Sequence, residues 1–236
     1  MKTSDIRFFR YFHRLRASLR CGGISLEHSF DEPPLRSELF SADQMEQHGK
    51  RLAAVHKLTQ ERRQDQLLTR LAANETVLIG VCGRLAAAVR ANLQITPASE
   101  WLLDNFYLIE EQIRTAKRHL PKGYSRELPR LLSGPSAGLP RVYDIALEII
   151  SHGDGRVNPE SLSRFVAAYQ TISVLKLGEL WAIPIMLRLA LIENLRRVAV
   201  RIAAGRVDRD LAAAWAEQMT ADAEKDPKSL VLVIAD

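Results

Sequence analysis

Aromatic residues are scarce in this chain, at 6% of the sequence. That is too few for the pleated, half-buried faces that aromatic and β-branched side chains favour. Hydrophobic residues still reach 47%, and much of that is alanine and leucine, the best helix formers. The balance points to an all-α fold, an irregular multi-helix bundle. Cysteine is also rare. Cys21 and Cys82 lie far apart, and neither has a Cys or His partner at ligand spacing. No zinc site is expected from that pattern, and two free thiols in a reducing compartment are the better reading. Long apolar runs are missing: the longest, Leu180 to Leu187, stops at Arg188, well short of the roughly 20 residues a bilayer requires. Arginines interrupt any apolar stretch at the N-terminus, which excludes a secretory signal. There is no glycine-rich phosphate fingerprint and no nucleophile elbow to single out a Ser–His–Asp set.

Positive charge is present in one place. The net charge is +5, and the first twenty residues hold Lys2, Arg7, Arg10, Arg14, Arg16 and Arg20 against Asp5 alone. That segment carries the whole excess, so the remainder gives no case for nucleic-acid binding. On a helical wheel Phe8, Phe9, Phe12, Leu15 and Leu19 share one side, with Arg7, Arg10 and Arg14 on the other. Such a helix suits an anionic membrane surface, with Arg7, Arg10, Arg14 and Phe12 as the contacts; a loosely held terminal arm explains it as well. The chain is read as a basic arm and loop over residues 1–42 and a helical domain over 43–236.

Within that domain the pattern predicts one long helix or two consecutive ones over 43–93, with a break near Gly80 or Gly83. Thr96-Pro97 and Asn158-Pro159 are cap-plus-proline starts, for helices to about His119 and about Ile172. A short helix is expected over 124–132, a loop over Gly134–Gly138, and a helix from Arg141 to Ser151. A long apolar helix follows over Leu177–Ala204, with Pro184 expected to kink it or to sit in its first turns. Asp208 is expected to cap a last helix to about Glu224, and the tail "SLVLVIAD" suits a strand or a chain that stops abruptly.

The stretch "EWLLDNFYLIEEQIR", Glu100 to Arg114, sets carboxylates beside aromatics, as sugar-processing sites do. At 100° per residue, Glu100, Asp104, Tyr107, Glu111, Arg114 and Arg118 form one stripe, while Leu102, Phe106, Ile109 and Ile113 lie opposite. The stripe therefore reads as a solvent face with its own i,i+4 cations. Asn105 and Glu110 fall in or beside the apolar face and need partners. With Glu193, which meets Arg197 at i,i+4, they are expected to form a structural polar latch. The apolar helix holding Trp181 is expected to pack on the helix holding Trp101, with both indoles buried.

The strings "EWLLDNFYLIEEQIR", "LPKGYSRELPRL", "GLPRVYDIALEIISHGDGRVNPESLSRFVAAYQTI" and "LGELWAIPIMLRLALIENLRR" occur in series. Together they resemble the N-terminal region of cyclic β-1,2-glucan synthases over about residues 85 to 205. Ser125 and Tyr107 depart from that pattern, where a second aromatic and a histidine are usual. The resemblance implies a large inner-membrane enzyme that polymerises glucose from UDP-glucose and closes the chain into a ring. This chain corresponds to its beginning: a soluble accessory region on the cytoplasmic side, without cofactor, whose partners are the remainder of the synthase and an anionic membrane surface. A direct contribution to the UDP-glucose or nascent-glucan site is the alternative, and a free-standing helical adaptor is a third reading. The one Asp-x-Asp string, Asp208-Arg209-Asp210, is explained by a helix start, so no catalytic or metal residue is assigned from it. The arginines of "ENLRRVAVRIAAGR", including Arg196 and Arg197, are candidates for anion or partner binding.

Overall fold

The computed structural model describes residues 33–35, 37–59, 66–120 and 123–225. The chain is the all-α bundle its composition implies. Among the described residues the helices are α1 (Ala42–Val55), α2 (Gln66–Arg90), α3 (Pro97–Asp104), α4 (Phe106–His119), α5 (Arg141–His152), α6 (Pro159–Gln170) and α7 (Leu177–Lys225). Two-residue strands β1 (Leu58–Thr59) and β2 (Arg130–Leu131) pair antiparallel, Leu58 opposite Leu131 and Thr59 opposite Arg130. The basic arm, with Arg7, Arg10, Phe12 and Arg14, lies outside the described residues, as does the 226–236 tail.

Helix α7 is the axis. α2, α3, α4 and α5 all pack against it, and α1 lies on α6. Ala182, Ile183, Ile185, Met186, Leu189, Ala190 and Ile192 bury its first half, with Ala199, Val200 and Ala203 continuing the seam. Facing them are Leu67, Leu71, Leu78, Val81 and Leu85 of α2 and Val142, Tyr143, Ile145, Ala146, Ile149 and Ile150 of α5. These recur at intervals of three and four, the spacing that puts apolar side chains on one helix face. α4 adds Ile109 and Ile113.

The caps follow the sequence. Thr96 accepts from the Ser99 N–H, and Asn158 from the N–H groups of Glu160 and Ser161. Ser41 and Gln44 form a reciprocal capping box at α1. Each such cap contributes about 1 kcal/mol. At the far end of α5, the residues before α1 supply the missing donors: Ser37 N–H reaches the Ser151 carbonyl and Phe40 N–H the His152 carbonyl. Gly153 ends α5, and a Cβ there would stand 2.6 Å from the Arg156 carbonyl oxygen. Asp154 and Gly155 follow at φ +52° and +73°, so His152-Gly153-Asp154-Gly155 is a helix terminus.

Several boundaries differ from expectation. The 43–93 helix breaks at His56, the C-cap of α1, two residues before β1, and both Gly80 and Gly83 lie inside α2. The apolar face of α2 outweighs the roughly 1 kcal/mol that each interior glycine costs. The helix after Thr96 bends at Asn105 (φ −102°, ψ 7°), where the side-chain amide donates to the Trp101 carbonyl at 2.8 Å. Residues 124–132 are not a helix. They form a 3-10 turn, Tyr124–Arg126, then β2, because buried Arg130 donates to the Gly138 and Ser125 carbonyls at 2.7 and 3.2 Å. Asp208 caps nothing: α7 runs unbroken to Lys225, through Pro184. Pro184 is on the exposed side of the helix. The alanine-rich 202–216 segment has no helix breaker beyond Gly205.

Helix α2 also revises the view that nothing is long enough to span a membrane. It has 25 residues and a window of mean hydropathy 1.3, sufficient by length and composition alone. Short polar interruptions hide it from a search for unbroken runs. Its buried Asn74 and its Arg70 are bonded within the bundle, as in a core helix.

Candidate docking face and the polar hub behind it

Glu193 is the most connected side chain in the core. It projects from α7 with no solvent exposure. Arg70 of α2 grips it with two bonds, Nε to Oε2 at 2.8 Å and Nη2 to Oε1 at 2.5 Å. Asn74 Nδ2 donates to Oε2 at 3.1 Å, the Tyr143 hydroxyl at 3.3 Å, and Arg197 Nη2 to Oε1 at 3.0 Å. Arg196 approaches to 3.6 Å. Burial pushes the carboxyl up, but the bonds and charges of Arg70, Asn74 and Arg197 prevail and hold it at about 2. Burial likewise lowers the Arg70 pKa, and Glu193 more than reverses it. Burial, with the Glu193 charge, moves the Tyr143 hydroxyl upward. A buried charge needs this degree of pairing. The hub ties α2, α5 and α7 together and occupies Arg196 and Arg197 internally; Arg197 also donates to the Pro33 carbonyl.

The other expected latch residues lie elsewhere. Asn105 bonds within its own turn, and Glu110 is exposed on α4, where its carbonyl accepts from Arg114. Neither reaches a neighbouring helix through these bonds. Glu100, Asp104, Tyr107, Glu111, Arg114 and Arg118 are all exposed, as the solvent-face reading requires. Glu100 and Asp104 rim an open cleft beside Leu93 and Leu103.

A second buried pair was not anticipated. Arg141, at the start of α5, and Glu179, in the first turn of α7, meet at 2.5 and 2.7 Å. Both are almost fully buried. Arg141 also donates to the Ser173 hydroxyl and the Val174 carbonyl, and Glu179 accepts from the Lys176 N–H. That last bond satisfies one of the orphan donors of the α7 N-terminus. Burial lowers the Arg141 pKa, but Glu179 raises it further. The only sequence signal was a polar residue at the start of each of two apolar helices, too common to single these out.

The Arg141–Glu179 clamp fixes a corner that exposes several large apolar side chains beside Thr171 and Lys176. Ile172, Val174, Leu177 and Trp181 are exposed there, Val174 by 75% and Trp181 by 74%. Trp181 was expected in the core, and so was Trp101, which is 57% exposed. The first half of α7 is not apolar all round against neighbours. Leu177, Trp181, Pro184, Arg188 and Leu191 follow at three- and four-residue steps and lie on its less buried side. Large apolar side chains grouped on one exposed side of a helix, here with Arg188 among them, mark an interaction surface.

Other polar clusters lie inside or at the edge of the bundle. His56 bridges the Tyr169 hydroxyl at 2.9 Å and the Asp144 carboxylate at 3.1 Å. His48 and His152 flank Glu148. Cys82 is buried, its thiol pushed up to about 11 by burial and by Glu110, which leaves it unreactive. Asp208 and Asp210 are exposed on the second half of α7, and Arg206 approaches Asp210 at 3.5 Å. A diphosphate-binding pair at a strand end has no counterpart in that arrangement.

The architecture therefore defines a helical region with an internally paired charge system and an exposed apolar face. No family model matches the chain. Over 146 residues, 62% of its length, it is 41% identical to the cyclic beta-(1,2)-glucan synthase NdvB of Rhizobium meliloti (strain 1021). The chain spans only 5% of that relative. That match supports the resemblance to cyclic β-1,2-glucan synthases read from the sequence.

Proposed function

We propose that this region is a non-catalytic accessory part of a membrane cyclic β-1,2-glucan synthase that polymerises glucose from UDP-glucose. It sits on the cytoplasmic side of the inner membrane and positions the transferase by docking on it. The observation that carries this reading is the exposed Leu177–Trp181–Pro184–Leu191 stripe, held rigid by a buried ion pair, in a chain that matches a small part of a much larger synthase. The helical setting of Asp208 and Asp210 supports the non-catalytic assignment. The remainder of the synthase is the partner, and the basic arm with Arg7, Arg10, Phe12 and Arg14 adds contact with anionic lipid, each basic residue near such a surface contributing about 1 kcal/mol.

Two experiments test it. The purified chain given labelled UDP-glucose should form no glucan; incorporation of label would overturn the non-catalytic reading. A full-length synthase from which this region is deleted should lose cyclic glucan formation in membranes and regain part of it when the region is supplied separately. Unchanged output after deletion would exclude a positioning role.

A further inference from the structure

His48 on α1 and Glu148 and His152 on α5 come together although roughly 100 residues separate His48 from the others. One nitrogen of each imidazole and one oxygen of the carboxylate lie within 4.8 Å of one another. We propose that these three side chains bind a zinc-class divalent ion, which fastens α1 and the segment before it to the end of α5.

The geometry at His152 carries the proposal. Its Nδ1 is 2.7 Å from the Glu38 carbonyl oxygen, a group that only accepts, so Nδ1 carries the proton. In the neutral ring Nε2 is then a lone pair, and it faces Glu148 Oε2 at 3.4 Å. A lone pair opposite a carboxylate oxygen calls for a cation between them, either a proton or a metal ion. The separation favours the metal: tetrahedral ligands at 2.0–2.1 Å from zinc stand about 3.4 Å apart. His48 Nε2 completes the set, 2.7 Å from the same oxygen, and needs to withdraw by about 0.7 Å to reach ligand spacing.

The surroundings suit such an ion. A backbone carbonyl on the far nitrogen is the usual support of a metal-binding histidine, fixing tautomer and ring plane. Phe40 stacks flat on the His152 ring, centroids 3.8 Å apart and planes 10° apart, and blocks one side. His48 and Glu148 remain 21% and 32% exposed, which leaves an entry path and a fourth position for water. Two imidazoles with one carboxylate select zinc and its transition-metal neighbours over magnesium or calcium. Sequence spacing showed only Glu148 and His152, four apart on one helix.

The test uses the full, metal-stripped chain and zinc alone, titrated against a chromogenic chelator of micromolar affinity, with cobalt as a spectroscopic probe. One zinc per chain should be taken up, the melting temperature should rise with zinc, and cobalt should give an intense tetrahedral spectrum. H48Q keeps a hydrogen-bond donor to Glu148 but removes a ligand, so it should fold normally and bind at least about tenfold more weakly; E148Q should do the same. Failure of the wild-type chain to compete with the chelator would show that the cation at His152 is a proton. Undiminished uptake by well-folded H48Q and E148Q would place the metal elsewhere. Either result overturns the proposal.

Discussion

The two halves of α7 are one continuous helix with opposite surroundings. From Ala182 to Ala203 it is walled in by α2, α3, α4 and α5, and its one internal carboxylate, Glu193, is saturated with partners. From Asp208 to Gln218 every residue except Leu211 is exposed; Arg206 and Asp210 approach each other at i,i+4, and Trp215 is 42% exposed. Alanine-rich sequence makes both halves helical; only packing distinguishes them. Propensity thus sets that this helix exists, and tertiary contact sets which half is a core. Beside the walled side, the outer stripe of Leu177, Trp181, Pro184 and Leu191 is exposed among the described residues.

The sharpest way to break the contrast is to remove the hub. Glu193→Ala should destabilise the chain by about 3–5 kcal/mol in a urea melt, because Arg70, Arg196 and Arg197 are left crowded without their anion. Acid should do the same by titration. The Glu193 carboxyl sits at about 2 in the fold against an ordinary 4.5, so its contribution is complete above about 4.5 and lost as pH falls toward 2. On the order of 3 kcal/mol should disappear across that window, and Glu193→Gln should flatten this part of the pH profile. Next in size, Gly153→Ala should cost about 1–3 kcal/mol, since its Cβ would collide with backbone at the end of α5. Smallest are the exposed positions. Trp101→Ala, Trp181→Ala and Asp208→Ala should each change stability by no more than about 0.5 kcal/mol, which thermal melts can read directly.

Much of this organisation is legible in the sequence, and the failures share a cause. Thr96, Asn158 and the end at Gly153 are local chemistry, and all are found in place. The stripe through Glu100, Asp104 and Glu111 follows from helical period alone. Glu193 with Arg197 is visible as an i,i+4 pair, but Arg70 and Asn74 come from more than 100 positions away, so the hub is not. Arg141 with Glu179, 38 positions apart, and His48 with Glu148, 100 apart, are likewise brought together only by the fold. Trp181 was misplaced because a helix apolar on nearly every side reads as buried on every side. No local pattern shows that one of those sides stays exposed among the described residues. Asp208 resembles a cap only if the helix begins there, and nothing before it ends the previous one.

The face left open by α7 is where the account is most exposed to test. A full-length synthase carrying Trp181→Ala and Leu191→Ala together should be measured for cyclic glucan formed from UDP-glucose in membranes, beside thermal melts of the isolated region with the same changes. Loss of two anchoring side chains at a docking surface is worth at least about 2 kcal/mol. The account predicts a fall in glucan output of roughly tenfold or more with a melting curve indistinguishable from wild type. Full glucan output from a doubly substituted enzyme would contradict it.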